Sequence, residues 1–128
     1  MGKFVLEELD VYNLSNELAD EIWDIVVNWS YLAQDTVGKQ IIRSSDSIAA
    51  NIAEGYGRYF YKENRQFCFY SRGSILETKT WIKKAKKRNL ITEEQYDQLF
   101  SKLEAVHIKL NAYMKFIGKK HVVEPQNQ

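Results

Sequence analysis

Apolar residues recur along this chain at alternating spacings of three and four, the interval that lines one face of an α-helix. Val11, Leu14, Leu18, Ile22, Ile25 and Trp29 open the pattern and predict a helix over about 10–29. After a looser stretch from Ser30 to Gly38, Ile41, Ser45, Ile48 and Ile52, widened by Ile42, Ala49 and Ala53, predict a second over 36–55. The third, over 62–88, places Phe67, Ser71, Ser74, Thr78, Trp81 and Ala85 on one stripe with Cys68, Ile75 and Ile82 beside it. The fourth, over 93–117, has the cleanest repeat: Tyr96, Leu99, Leu103, Val106, Leu110, Tyr113 and Ile117. No stretch alternates with the period of a strand.

Punctuation falls between these segments. Gly55 and Gly57 are expected to end the second helix, glycine taking the left-handed conformation that closes a helix without steric cost. Asn89 stops the third, and Thr92-Glu93-Glu94-Gln95 reads as a capping box before the fourth. From Gly118 the chain turns polar and contains Pro125, so the tail 118–128 is expected to fray. Short connections favour antiparallel neighbours. The fold class is therefore all-α: an antiparallel up-down-up-down four-helix bundle, one domain over residues 1–128 with a single core.

Composition adds an aromatic excess, 13% of residues, with three Trp, eight Tyr and six Phe. That is more than one small core holds, so some rings are expected at a surface or interface. The net charge of +1 hides an uneven distribution: residues 1–30 carry one base and seven acids, the remainder 17 bases and 10 acids. An acidic first helix and a basic remainder can neutralise each other within one bundle or between subunits. A lone Cys68 excludes an intrachain disulfide and fits a reducing compartment. No stretch approaches the ~20 apolar residues that span a bilayer, so a cytoplasmic protein without a membrane partner is expected.

One run stands apart. Ser47 to Arg58 reads Ser-Ile-Ala-Ala-Asn-Ile-Ala-Glu-Gly-Tyr-Gly-Arg, a helical apolar repeat joined to a polar, glycine-punctuated end. It resembles, position by position, the signature of the four-helix-bundle family encoded by intervening sequences in bacterial 23S ribosomal RNA genes. The acidic first helix and the Arg72-Gly73-Ser74 run with nearby Glu77 are consistent with that family. The resemblance implies a bundle, a homopentameric ring and, by analogy with bundles that accompany reverse transcriptases, an RNA or ribonucleoprotein partner. It implies no established activity.

Ser47, Asn51, Glu54, Gly55, Gly57, Arg58 and Glu77 are the candidate corner residues. Either they fix the bend between the second and third helices through hydrogen bonds, or they form a ligand or RNA site there. Arg58, four residues after Glu54, is a surface ion pair or a clamp across the corner. From Tyr56 to Arg72, rings alternate with Arg58, Lys62, Arg65 and Arg72, as in a single-stranded RNA platform, a subunit interface or a core. Phe69 and Leu76, one heptad apart on a second face, suit a neighbouring chain. Lys79, Lys83, Lys84, Lys86, Lys87 and Arg88 place six positive charges in ten residues, which reads as a solvated face complementing the helix dipole, a phosphate site, or a surface for an acidic partner.

Catalytic chemistry finds little support. Glu104-Ala-Val-His107 has the Glu-x-x-His spacing of di-iron bundles, but such a site needs a second copy and two further glutamates. Cys68 reads as a small hydrophobe. No catalytic residue, cofactor, metal or small-molecule substrate is assigned. The leading expectation is a non-enzymatic homo-oligomeric protein associated with RNA, and the alternative is a module that binds only protein.

Overall fold

The computed structural model describes the backbone of residues 5–123 and the side chains of residues 5–120. A 3₁₀ turn, Leu6–Glu8, leads into α1 (Asp10–Val26), α2 (Lys39–Tyr56), α3 (Tyr61–Lys87) and α4 (Glu93–Val123). The protein is all-α, with four long helices and no strand among the described residues.

Helix α1 packs against α2 and α4, and α3 packs against the same two. Side-chain contacts join three of these pairs. Between α2 and α3, Ser71 Oγ donates to the Ile48 carbonyl at 2.8 Å, and Thr78 Oγ1 lies 2.9 Å from Ser44 Oγ. Between α3 and α4, Lys86 meets Glu93, Lys79 meets Glu104 and Arg72 meets Asn111. Helix α4 meets α1 through Lys102 with Glu21 and Lys109 with Asp10. Leu18, Ile22, Ile48, Ile52, Ile75, Ile82, Leu103, Val106 and Leu110 fill the space between the four helices.

Buried arcs differ from the predicted stripes where a helix has two neighbours. On α1, Ser15, Ala19 and Val26 are buried while Leu14, Ile25 and Trp29 are half-buried. On α3, Cys68, Ser71, Ile75, Thr78, Ile82 and Ala85 are buried, and Phe67, Ser74 and Trp81 lie on the flank. Small hydroxyl side chains occupy the α2–α3 contact because there the two backbones approach closely enough for cross-helix hydrogen bonds.

Helix ends also differ. The stretch after α1 is helical, not loose: Ser30 caps a turn, Tyr31–Ala33, and a π-helical segment, Gln34–Gly38, feeds α2. Gln34 Nε2 donates to the Val26 and Val27 carbonyls at 3.2 and 3.0 Å, satisfying the end of α1. Asn89 ends α3 with φ 59°, Leu90 N–H reaching the Ala85 carbonyl at 2.8 Å and Asn89 N–H the Lys86 carbonyl at 3.0 Å, a Schellman closure. The Thr92 capping box is present in both directions, at 2.9 and 3.0 Å. The tail does not fray at Gly118: α4 continues to Val123, and Tyr61 from the start of α3 packs over Gly118, where a Cβ would lie 3.2 Å from its hydroxyl. Residues 124–128, including Pro125, lie outside the described residues.

Candidate functional site

The signature run builds the corner between α2 and α3, and its central device is a missing side chain. Gly55 is buried in the last turns of α2; a Cβ there would lie 2.7 Å from Asn64 Oδ1, 2.9 Å from Phe67 Cβ and 3.0 Å from the Asn64 carbonyl. Its role is close approach, not a left-handed turn. No described glycine has a positive φ. Gly57 caps α2 at φ −78°, its N–H bonded to the Ala53 carbonyl at 3.1 Å.

Arg58 acts as the clamp. Its guanidinium lies 2.7 Å from Glu54 on α2 and 3.8 Å from Glu63 on α3, and 4.9 Å from the centre of the Phe67 ring. One side chain thus ties the end of one helix to the start of the next. The remaining corner candidates turn inward on their own helices. Ser47 Oγ donates to the Arg43 carbonyl at 2.8 Å, and Asn51 Nδ2 to the Ser47 carbonyl at 2.9 Å. Glu77 does not join the corner: it is exposed farther along α3 and accepts from Trp81 Nε1 at 3.2 Å. Asn64, which sequence reasoning passed over, crosses to α4 instead, where its Nδ2 lies 3.4 Å from the Tyr113 hydroxyl.

The interleaved rings divide into covered and exposed ones. Arg65 and Arg72 both lie over Phe69, at 5.4 and 4.9 Å, and Arg58 covers Phe67. These are cation–π contacts within the chain. Tyr59 and Tyr70 are exposed, at 82% and 50%, Tyr59 with its edge against Phe60.

The basic run divides in two. Lys79 pairs with Glu104, and Lys86 pairs with Glu93 and lies 4.2 Å from the Tyr96 ring centre. Those two hold α3 to α4. Lys83 lies 5.9 Å from the Phe100 ring centre, while Lys84, Lys87 and Arg88 are exposed. None of these four, nor Lys62, is ion-paired among the described residues.

With helices, corner and cationic end in view, relatives can be compared. The profile of the 23S rRNA-intervening sequence protein family matches residues 7–112. The chain belongs to this family. The fold is similar to that of a protein with unknown function from the S23 ribosomal protein family of Bacteroides thetaiotaomicron VPI-5482, at 25% identity and a TM-score of 0.74. The match covers 82% of this chain and 95% of that one. No curated protein matches the chain. The family match spans α1, α2, α3 and most of α4, so the corner and the cationic run both lie inside it.

Two further surfaces of this family member stand out, the first on the face of α3 where the sequence already placed Phe69 and Leu76. Gly73 sits midway along α3 with no atom within 4 Å of where its Cβ would be. A glycine in a helix interior costs about 1 kcal/mol relative to alanine, and no packing contact among the described residues offsets that. It lies between Phe69 and Leu76, the latter 53% exposed. On α1, Trp23 and Val27 are also exposed, one turn apart and beside Asp20 and Asp24. An i, i+4 apolar pair off the predicted seam was the available signal.

Chemistry at the expected Glu-x-x-His pair is electrostatic. Glu104, hydrogen-bonded by Lys79, is held below the usual carboxylate range. Burial, reinforced by Lys79, pulls the His107 imidazole below its ordinary 6.5. Among the described residues no group of three or more His, Cys, Asp or Glu is placed to hold a metal ion. Cys68 is buried, and that burial pushes its thiol up to about 11, so it carries little thiolate. Because folded His107 binds its proton less readily than the unfolded chain does, its contribution is fully present above about pH 6.5 and is lost as pH falls through that value. His107→Gln should therefore flatten the fall in urea midpoint between about pH 7.5 and about pH 5.5; an equal fall in both proteins would remove His107 as its source.

Proposed function

We propose that these helices form one antiparallel up-down-up-down bundle that acts without catalysis, as a self-assembling scaffold. The observation that carries this reading is the outward face of α3, where Gly73 stands open between Phe69 and exposed Leu76. Apolar side chains around a helix glycine fit a second helix laid against them. The ring of five implied by the resemblance is the stoichiometry we expect, in a reducing cytoplasm that suits the free thiol of Cys68. Sedimentation velocity should find an assembly several times the mass of one chain and largely insensitive to nuclease. A single-chain mass at micromolar concentration would overturn the reading.

A second reading rests on a separate observation, the cations Lys83, Lys84, Lys87 and Arg88 that have no acidic partner among the described residues. They support association with RNA or a ribonucleoprotein through phosphate, and the likeness to a 23S rRNA-intervening sequence protein family and an S23 ribosomal protein family member supports that. Lys83→Glu, Lys84→Glu and Lys87→Glu together should abolish RNA retention at low salt, and wild-type binding should weaken steeply as salt rises. Equal retention by the triple variant in a mobility-shift assay would exclude this surface.

A further inference from the structure

We propose that one end of the molecule takes unpaired nucleotides of RNA, the Tyr31 ring stacking on a base while Lys84, Lys87 and Arg88 hold neighbouring phosphates. This inference rests on the RNA reading above and names the form of RNA and the ring that selects it. Cations alone would hold duplex and single strand through the same phosphates. An exposed ring beside them discriminates, because only a base outside a duplex presents its face for stacking.

Two connections meet at this end. Trp29 after α1, Ile41 in α2, Ile91 between α3 and α4, and Leu99 in α4 line one small space. The π-helical segment Gln34–Gly38, which feeds α2, also touches α3. Tyr31 follows Trp29 by two positions, and Arg88 precedes Ile91 by three. The aromatic turn and the cationic end of α3 are therefore neighbours, although some 50 residues separate them in the chain.

Tyr31 is held outward on an ordered turn. It is 79% exposed, and Leu32 beside it is 73% exposed; no ring or cation of the described residues lies over the Tyr31 ring. Ser30 Oγ accepts from the Ala33 N–H at 3.3 Å, the Gln34 N–H reaches the Ser30 carbonyl at 2.9 Å, and Gln34 Nε2 ties the turn to the last carbonyls of α1. A ring fixed in water forgoes its burial, and a base laid on it would restore that. Lys84, Lys87 and Arg88 have no ion pair among the described residues, whereas Asp35 and Glu93 at the same end are matched by Lys39 and Lys86. Every nucleotide carries an anion and a stacking face together, which is the combination this end complements.

Fluorescence anisotropy at low salt tests this with a labelled uridine strand of about 12 nucleotides and an adenine–uracil RNA duplex of the same length. The wild type should prefer the single strand. Tyr31→Ala should weaken single-strand binding about tenfold, as loss of one stacked base does, and leave duplex binding as it was. Tyr31→Phe, which keeps the ring, should bind like the wild type. Lys84→Glu with Lys87→Glu should weaken both RNAs, and Tyr59→Ala, at the α2–α3 corner, should change neither. Equal wild-type affinity for the two RNAs, wild-type binding by Tyr31→Ala, or an equal loss in Tyr59→Ala would overturn the stacking site while leaving phosphate association standing. A sedimentation change in Tyr31→Ala without RNA would assign the ring to a protein contact and also overturn it. A wild type that binds neither RNA would instead remove the reading on which the site rests.

Discussion

Gly55→Val should destabilise the protein by about 3 kcal/mol. The three atoms nearest the new Cβ belong to Asn64 and Phe67, and two of them, the Asn64 carbonyl and Phe67 Cβ, are fixed to the backbone of α3 at 3.0 and 2.9 Å. No rotamer change relieves that contact, so α2 and α3 must separate and lose the close approach that lets Ser71 reach the Ile48 carbonyl. Gly57→Ala is the matched control. Its nearest neighbours are its own helix's carbonyls at 3.7 Å, and its φ of −78° suits any residue. Urea denaturation should show a large fall in midpoint for the first and a change within about 0.5 kcal/mol for the second. A wild-type midpoint for Gly55→Val would mean the helices do not cross there.

Ile48→Ala should cost about 2–5 kcal/mol, because the residue is fully buried and the rigid helices around it cannot collapse to fill the space. Its carbonyl, which accepts from Ser71 Oγ, is retained in the variant, so the loss reports packing and not a stranded hydroxyl. Ile108→Ala, at a position 70% exposed on α4, is expected to change the same midpoint little. Comparable losses at the two positions would contradict the placement of the core.

Residue by residue, the legibility of the sequence follows the range of each interaction. The Thr92 box and the Asn89 stop were readable because capping is decided within three to six residues of the helix end. The membership carried by Ser47 to Arg58 was readable for a similar reason, as a contiguous run that the family profile also matches. Gly55 was placed correctly but given the wrong purpose, since a turn glycine and a close-approach glycine look alike until the opposing helix is present. Glu77 was grouped with the corner by its place in a motif; its distance along α3 removes it. Asn51 was grouped with the corner, yet its amide donates to a carbonyl one turn back in its own helix.

The sequence by itself determined four amphipathic helices, the Asn89 and Thr92 caps and the family, because helical period, capping and the signature are encoded in residues close together in the chain. Tertiary structure alone decided which cations are spent. Lys79 and Lys86 neighbour Lys83, Lys84 and Lys87 in sequence, but a helix turns 100° per residue, so the first two face acids on α4 and Lys84 and Lys87 face outward. The same rotation sets Gly73 and Leu76 on the outside of α3 and puts guanidinium groups over Phe67 and Phe69. A charge or a ring acquires its role from what stands across from it, and that is fixed only when the helices pack.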